Sequence, residues 1–88
     1  MITSQQIQNM NVDDFLFLYG QCIINQETEF ILGKVFEEQY IKKNKILVYN
    51  LSNLPEAQHE PIKENLNKKL LVSSIYIQNK LLYIDWSL

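Results

Sequence analysis

The residues of this chain that could do covalent or acid-base chemistry are few. His59 is its only histidine and Cys22 its only cysteine, so a zinc site of the usual spacing cannot be assembled and no internal disulfide can form. Glu37 and Glu38 form a carboxylate pair, but neighbouring side chains of a strand point to opposite faces, which is wrong for an acid and a base acting on one substrate. Solvated charge is the simpler account of the pair. Neither a glycine-rich phosphate loop nor a nucleophile elbow is present. The chain reads as a non-enzyme without cofactor or metal, and Cys22 as a small buried hydrophobe rather than a reactive thiol.

Binding chemistry has more to work with. Lys42, Lys43 and Lys45 surround Asn44, and Lys80 sits in a second polar turn. If both turns border one groove, a phosphate backbone would pass between them. Base stacking on aromatic rings contributes about 1 to 3 kcal/mol per base, and Phe36, Tyr40, Tyr49, Tyr76 and Tyr83 are the candidates, several of which the core must claim. The plainer alternative is that lysines at hairpin tips keep strand edges soluble and unpaired. Trp86 is either a core plug or an anchor for a protein partner, since tryptophan and tyrosine dominate binding hot spots. Ile7 and Met10, on one side of an N-terminal turn of helix, are the other candidate interface residues.

The elements that must position these groups follow from pattern. Thr3 and Ser4 can cap a short helix through Gln5, Gln6, Ile7 and Met10. Phe15 to Ile24 and Glu29 to Ile41 are ambiguous. Both have apolar residues at three- and four-residue steps and at alternate positions. Aromatic density, Gly20 and Gly33 favour strands, because glycine inside a helix costs about 1 kcal/mol relative to alanine. The second run then pairs with Ile46 to Leu51 as a hairpin whose tip is Lys42-Lys43-Asn44-Lys45, with Asn44 suited to positive φ. Asn25 to Thr28 is a polar break and Ser52 to Pro61 a loop. Pro61 suits the start of a helix, along which Ile62, Leu66 and Leu70 recur every four residues. A second hairpin closes the chain, with Ile75 to Ile77, a Gln78-Asn79-Lys80 turn, and Leu81 to Trp86.

The totals bound the rest. A chain of 88 residues makes one domain and buries only about 60 to 65% of the surface its unfolded form exposes. Eight lysines, no arginine and ten acidic residues give a net charge of -2, which argues against nucleic-acid binding driven by bulk charge. No signal peptide or membrane-length apolar run is present, so an intracellular, reducing compartment is expected.

Strands followed by one helix and a closing hairpin is the order of a small OB barrel. Ser4-Gln5, Phe17-Leu18-Tyr19-Gly20, Phe30-Ile31-Leu32-Gly33-Lys34-Val35 and Val48-Tyr49-Asn50-Leu51-Ser52 follow one another in a way that resembles the OB domain of the replication protein A middle subunit and its telomere-capping and dissolution-complex relatives. The resemblance implies an all-β fold: a five-stranded OB-like barrel over residues 15–88, a short leader helix within 1–14, and one helix between strands 3 and 4. It also implies a nuclear subunit of a complex that handles single-stranded DNA in replication, repair or telomere maintenance, with other OB-fold subunits as partners.

Three departures qualify that implication. Ser52-Asn53 stand where the family has paired aspartates, and the loop from Ser52 to Pro61 replaces a strand ending in a stacking tryptophan. The family's C-terminal bundling helix has no counterpart before Leu88. The function expected on this reading is chiefly protein scaffolding with weak strand contact through Lys42, Lys43, Lys45, Lys80 and the aromatic residues. The rival is a compact α+β module resembling a winged helix, in which both ambiguous stretches are helices and the last hairpin is a wing, binding a partner or reading duplex. Helix content near half would sink the barrel reading.

Overall fold

The computed structural model describes residues 1–22 and 27–87. Ile23 and Ile24, the first half of the expected polar break, Asn25 and Gln26, and the expected burial of the Cys22 side chain lie outside the described residues, and the second half of that break, Glu27 and Thr28, belongs to a helix. Half of the chain is helical and 24% is strand, in two small sheets with no closed barrel. The all-β expectation is therefore overturned, and the architecture is α+β.

The correction lies in two stretches. Phe15 to Ile24 and Glu29 to Ile41, expected as strands, lie where described almost wholly in helices α2, Val12–Cys22, and α3, Glu27–Tyr40, preceded by a one-turn helix α1, Ser4–Gln8. In α3, Ile31, Leu32, Val35 and Phe36 are all buried. A strand would send the members of each adjacent pair to opposite faces, whereas a helix brings positions i, i+1, i+4 and i+5 onto one side. Burial of those four side chains offsets the propensity cost of Gly33 that had pointed to a strand. The Phe17-to-Gly20 and Phe30-to-Val35 segments that carried the family resemblance thus lie on helices.

Local chemistry sets the helix ends. Thr3 and Gln6 form a reciprocal capping box at α1, with the Gln6 N–H donating to Thr3 Oγ1 at 3.2 Å and the Thr3 N–H donating to Gln6 Oε1 at 2.9 Å. Asn11 and Asp14 repeat the arrangement before α2, where two aspartates also sit in the positive first turn. At the end of α3 it is Lys43, not Asn44, that takes the positive φ of 60°. Asn44 instead donates its backbone N–H to the Glu38 carbonyl at 2.9 Å. The basic tetrapeptide is accordingly a helix-to-strand connection and not a hairpin tip.

The rest of the expected order survives. Strand β2 is Ile46–Asn50, after which a 3-10 turn at Glu56–Gln58 leads into helix α4, His59–Lys69, with Pro61 in its first turn. Two short strands, β1 at Ile2–Thr3 and β3 at Leu70–Leu71, pair in parallel. The hairpin of β4, Ser74–Gln78, and β5, Leu81–Asp85, then adds to β2 in the order β2-β5-β4, all antiparallel. Its two turn residues, Asn79 and Lys80, have φ of 54° and 63°, the type I′ signature that matches strand twist.

One core joins the layers. Ile7, Phe15, Ile31, Leu32, Val35, Phe36, Leu47, Leu51, Ile62, Leu66, Leu70, Leu82, Ile84 and Trp86 form it, so the expected leader contributes Ile7 to the same interior as the rest. Trp86 has no exposed surface. Its indole N–H donates to Gln39 Oε1 at 2.9 Å, its backbone N–H donates to the Lys45 carbonyl at 3.0 Å, and its carbonyl accepts from the Gln8 side-chain amide.

Truncating a buried tryptophan removes both packing and this bonding. Trp86→Ala should destabilise by about 3 to 5 kcal/mol, read from urea unfolding followed by circular dichroism. Lys80→Gly should act oppositely, adding roughly 1 kcal/mol because glycine accepts the left-handed conformation without steric cost. The Lys80 to Glu56 contact at 3.8 Å that is lost with it is exposed and contributes little.

Candidate binding surface

The expected basic groove does not assemble. The Lys42 to Lys45 connection enters β2 at Ile46, opposite Asp85, whereas Lys80 lies at the other end of the sheet, beside Asn50 and Leu81. The two clusters are separated by the length of a five-residue strand, about 16 Å. Several of the charges are also engaged. Lys42 pairs with Glu38 at 3.1 Å, Lys80 faces Glu56, and the Lys43 ammonium lies 5.0 Å from the Tyr40 ring centroid.

The aromatic candidates are divided by the fold. Phe36 is wholly buried. Tyr40 stacks on Phe15, with centroids 4.6 Å apart and planes at 16°. Tyr49 is half-buried and meets Phe30 edge to face. Of the five, Tyr76 and Tyr83 stand on an open face. The expected partner residues go inward: Ile7 and Trp86 are fully buried and Met10 packs partly buried against the core. A domain this small needs its largest side chains inside, and Trp86 is the plug, not the anchor.

His59 also has a structural task. It is buried at the start of α4, and its Nε2 lies 2.9 Å from the Leu51 carbonyl and 3.1 Å from that of Leu54. Two acceptors require Nε2 to carry the proton and donate to both, which fastens the loop after β2 to α4. Glu37 and Glu38 lie on α3 and pair with Lys34 and Lys42. Among the described residues no group of three His, Cys, Asp or Glu side chains could hold a metal ion, and no helix is long and apolar enough to cross a membrane.

What stays open is the outer face of the three-stranded sheet. Strand parity puts Leu47, Tyr49, Ile75, Ile77, Leu82 and Ile84 inward, and the alternate residues outward. The register then aligns Val48, Tyr83 and Tyr76 in one row across the three strands. Ile46 lies in the row towards Asp85. Val48 is 49% exposed and Tyr76 and Ile46 each 42%. Tyr76 and Tyr83 are stacked, 4.8 Å between centroids and 8° between planes, so the aromatic surface is already ordered. A cross-strand pair of this kind contributes roughly 0.2 to 1 kcal/mol to the sheet, which does not require Val48 and Ile46 to be apolar as well.

Ile46 and Val48 were not among the site residues expected from sequence. The signal was the polar residues of the same parity, Asn50, Ser74, Gln78 and Asp85, which mark that face as solvent-facing once the strands are correctly placed. A second exposed apolar group, Val12, Leu16 and Phe17, lies on α2. Compared with protein families, curated proteins and solved structures, the chain matches none of them.

If His59 is a clamp and not a catalytic group, its loss is felt in stability. His59→Ala should cost about 1 to 3 kcal/mol, the range for leaving buried acceptors unpaired, measured by chemical unfolding. A stability change within about 0.3 kcal/mol would show that water replaces it without loss.

Proposed function

We propose that the protein is a small partner-binding module that recognises another protein through the outer face of its three-stranded sheet. The observation that carries this reading is the outer-face row of exposed Val48, half-buried Tyr83 and exposed Tyr76, extended by exposed Ile46. Exposed contiguous apolar surface on a soluble domain marks an interaction site. Tyrosine supplies large contact area with little conformational entropy to lose, and the stacked pair has lost most of that already. The polar residues at the row ends, Ser74, Asp85, Asn50 and Gln78, would form the hydrated rim that surrounds an apolar centre in protein interfaces.

Duplex reading is less well supported, although a hairpin follows α4 as a wing would. The exposed side of α4 mixes Glu60 and Glu64 with Lys68 and Lys69, and Lys63 and Lys69 pair with Glu60 and Glu29. A helix entering a groove needs net positive charge towards phosphate. Contact with single-stranded nucleic acid has one favouring observation, the stacked tyrosines, since rings on an open sheet can receive bases. It lacks a basic track beside them.

The two readings separate on the same variants. A protein partner recovered with the wild-type chain should bind at least about tenfold more weakly to Val48→Asp, equivalent to about 1.4 kcal/mol, and equally well to Lys42→Ala with Lys43→Ala. Titration of labelled oligo-dT at low salt should show no saturable binding. Saturable binding weakened by Tyr83→Ala would move the reading to nucleic acid.

A further inference from the structure

The hairpin leaves β4 as a sheet edge, and the hydrogen-bond parity shows which of its groups are open. The Leu51 N–H donates to the Lys80 carbonyl and the Trp86 N–H to the Lys45 carbonyl, so the even-numbered residues of β5 bond towards β2. The odd ones, Leu81, Tyr83 and Asp85, therefore bond towards β4, where their partners are Gln78, Tyr76 and Ser74. The N–H and C=O groups of Ile75 and Ile77 consequently point away from the sheet. Among the described residues no backbone hydrogen bond from elsewhere in the chain reaches them.

Helix α4 packs against β4, but the side chains of this edge offer little protection. Its sequence, Ser74-Ile75-Tyr76-Ile77-Gln78, carries no charge, proline or glycine, the features that discourage edge pairing. The opposite edge, β2, begins directly after Lys42, Lys43 and Lys45. The core also thins beneath β4. Ile75 and Ile77 are only partly buried, whereas Leu82 and Ile84 of the central strand are wholly so.

We propose that the protein forms a homodimer by antiparallel pairing of β4 with β4 of a second copy, about a two-fold axis through Tyr76. Centring the pairing on Tyr76 sets Ile75 against Ile77 of the second copy, and Ile77 against its Ile75. Both pairs exchange both hydrogen bonds, so all the outward groups of the two strands are used. Shifting the axis to Ile75 or Ile77 leaves one of the two isoleucines outside the pairing of the two strands. Opposed residues share a face, so Tyr76 meets Tyr76 of the second copy on the outer face and the row runs unbroken through a six-stranded sheet. The partly buried isoleucines meet on the inner face. Ser74 opposes Gln78 of the second copy, so polar residues close both ends of the pairing.

The inference stands apart from the partner-binding reading, because dimer formation occupies an edge and leaves the outer face open. Sedimentation equilibrium of the full chain should give twice the 10.5 kDa chain mass, dissociating on dilution. Tyr76→Lys, which places two lysines opposite each other on the axis, should weaken association at least about tenfold with the far-ultraviolet circular dichroism unchanged. In a Cys22→Ser background, Tyr76→Cys should form an intermolecular disulfide on mild oxidation and Gln78→Cys should not, which decides the matter even if the lysine variant folds poorly. A monomer at every concentration overturns the proposal and leaves the edge to an extended segment of another protein. Association indifferent to Tyr76→Lys, or a Gln78→Cys disulfide formed as fast as that of Tyr76→Cys, overturns it as well.

Discussion

The burial of Trp86 is the constraint on which the structure depends. It follows the last strand directly, yet it is bonded to α3 through Gln39, to the start of β2 through Lys45, and to α1 through Gln8. The domain has little core to spare, and one indole ring closes the space between its helical layer and its sheet. The same bonds register β5 against β2, so the central strand of the sheet and the helices above it are placed by one residue. Because the ring is spent inside, it is not available to a partner, and the binding surface has to be sought where the sheet faces away from the core.

The second consequence of that core is the state of α3. Its apolar residues are compatible with either period when read alone, and glycine at position 33 favours a strand on propensity. Packing reverses the preference. A helix delivers Ile31, Leu32, Val35 and Phe36 to one interior, and burying four such side chains is worth several kcal/mol, more than one glycine costs. Once α3 is a helix, the lysines at 42, 43 and 45 cease to crown a hairpin and become the link into β2, some carrying ion-pair or cation-π contacts. A groove built from two basic tips was a consequence of the strand assignment and falls with it. The rival α+β reading, helices first and a hairpin last, describes the architecture better.

The proposed function rests on surfaces. The one histidine fastens a loop, the adjacent glutamates are ion-paired, and the aromatic side chains divide between interior and outer sheet face. That face is apolar at its centre and polar at its ends, and the strand beside it exposes unpaired backbone groups without a protecting charge. A face that can be covered and an edge that can be extended are separate opportunities for association, one resting on side chains and the other on the backbone.

The sequence by itself determined the features that depend on neighbours in the chain. The Thr3 cap, the α4 helix with Pro61 in its first turn, β2, and the β4-β5 hairpin with Asn79-Lys80 at its turn were legible because capping, fixed proline φ and turn conformation are local. Only the tertiary structure decided between helix and strand for 12–22 and 27–40, since two periods fit the same residues and burial chooses between them. It also decided that His59 is a clamp, that Phe36 and Trp86 belong to the core, and that Val48, Tyr76 and Tyr83 share one open row. Those relations join residues far apart in sequence, and cross-strand register, which no local pattern specifies, brings them together.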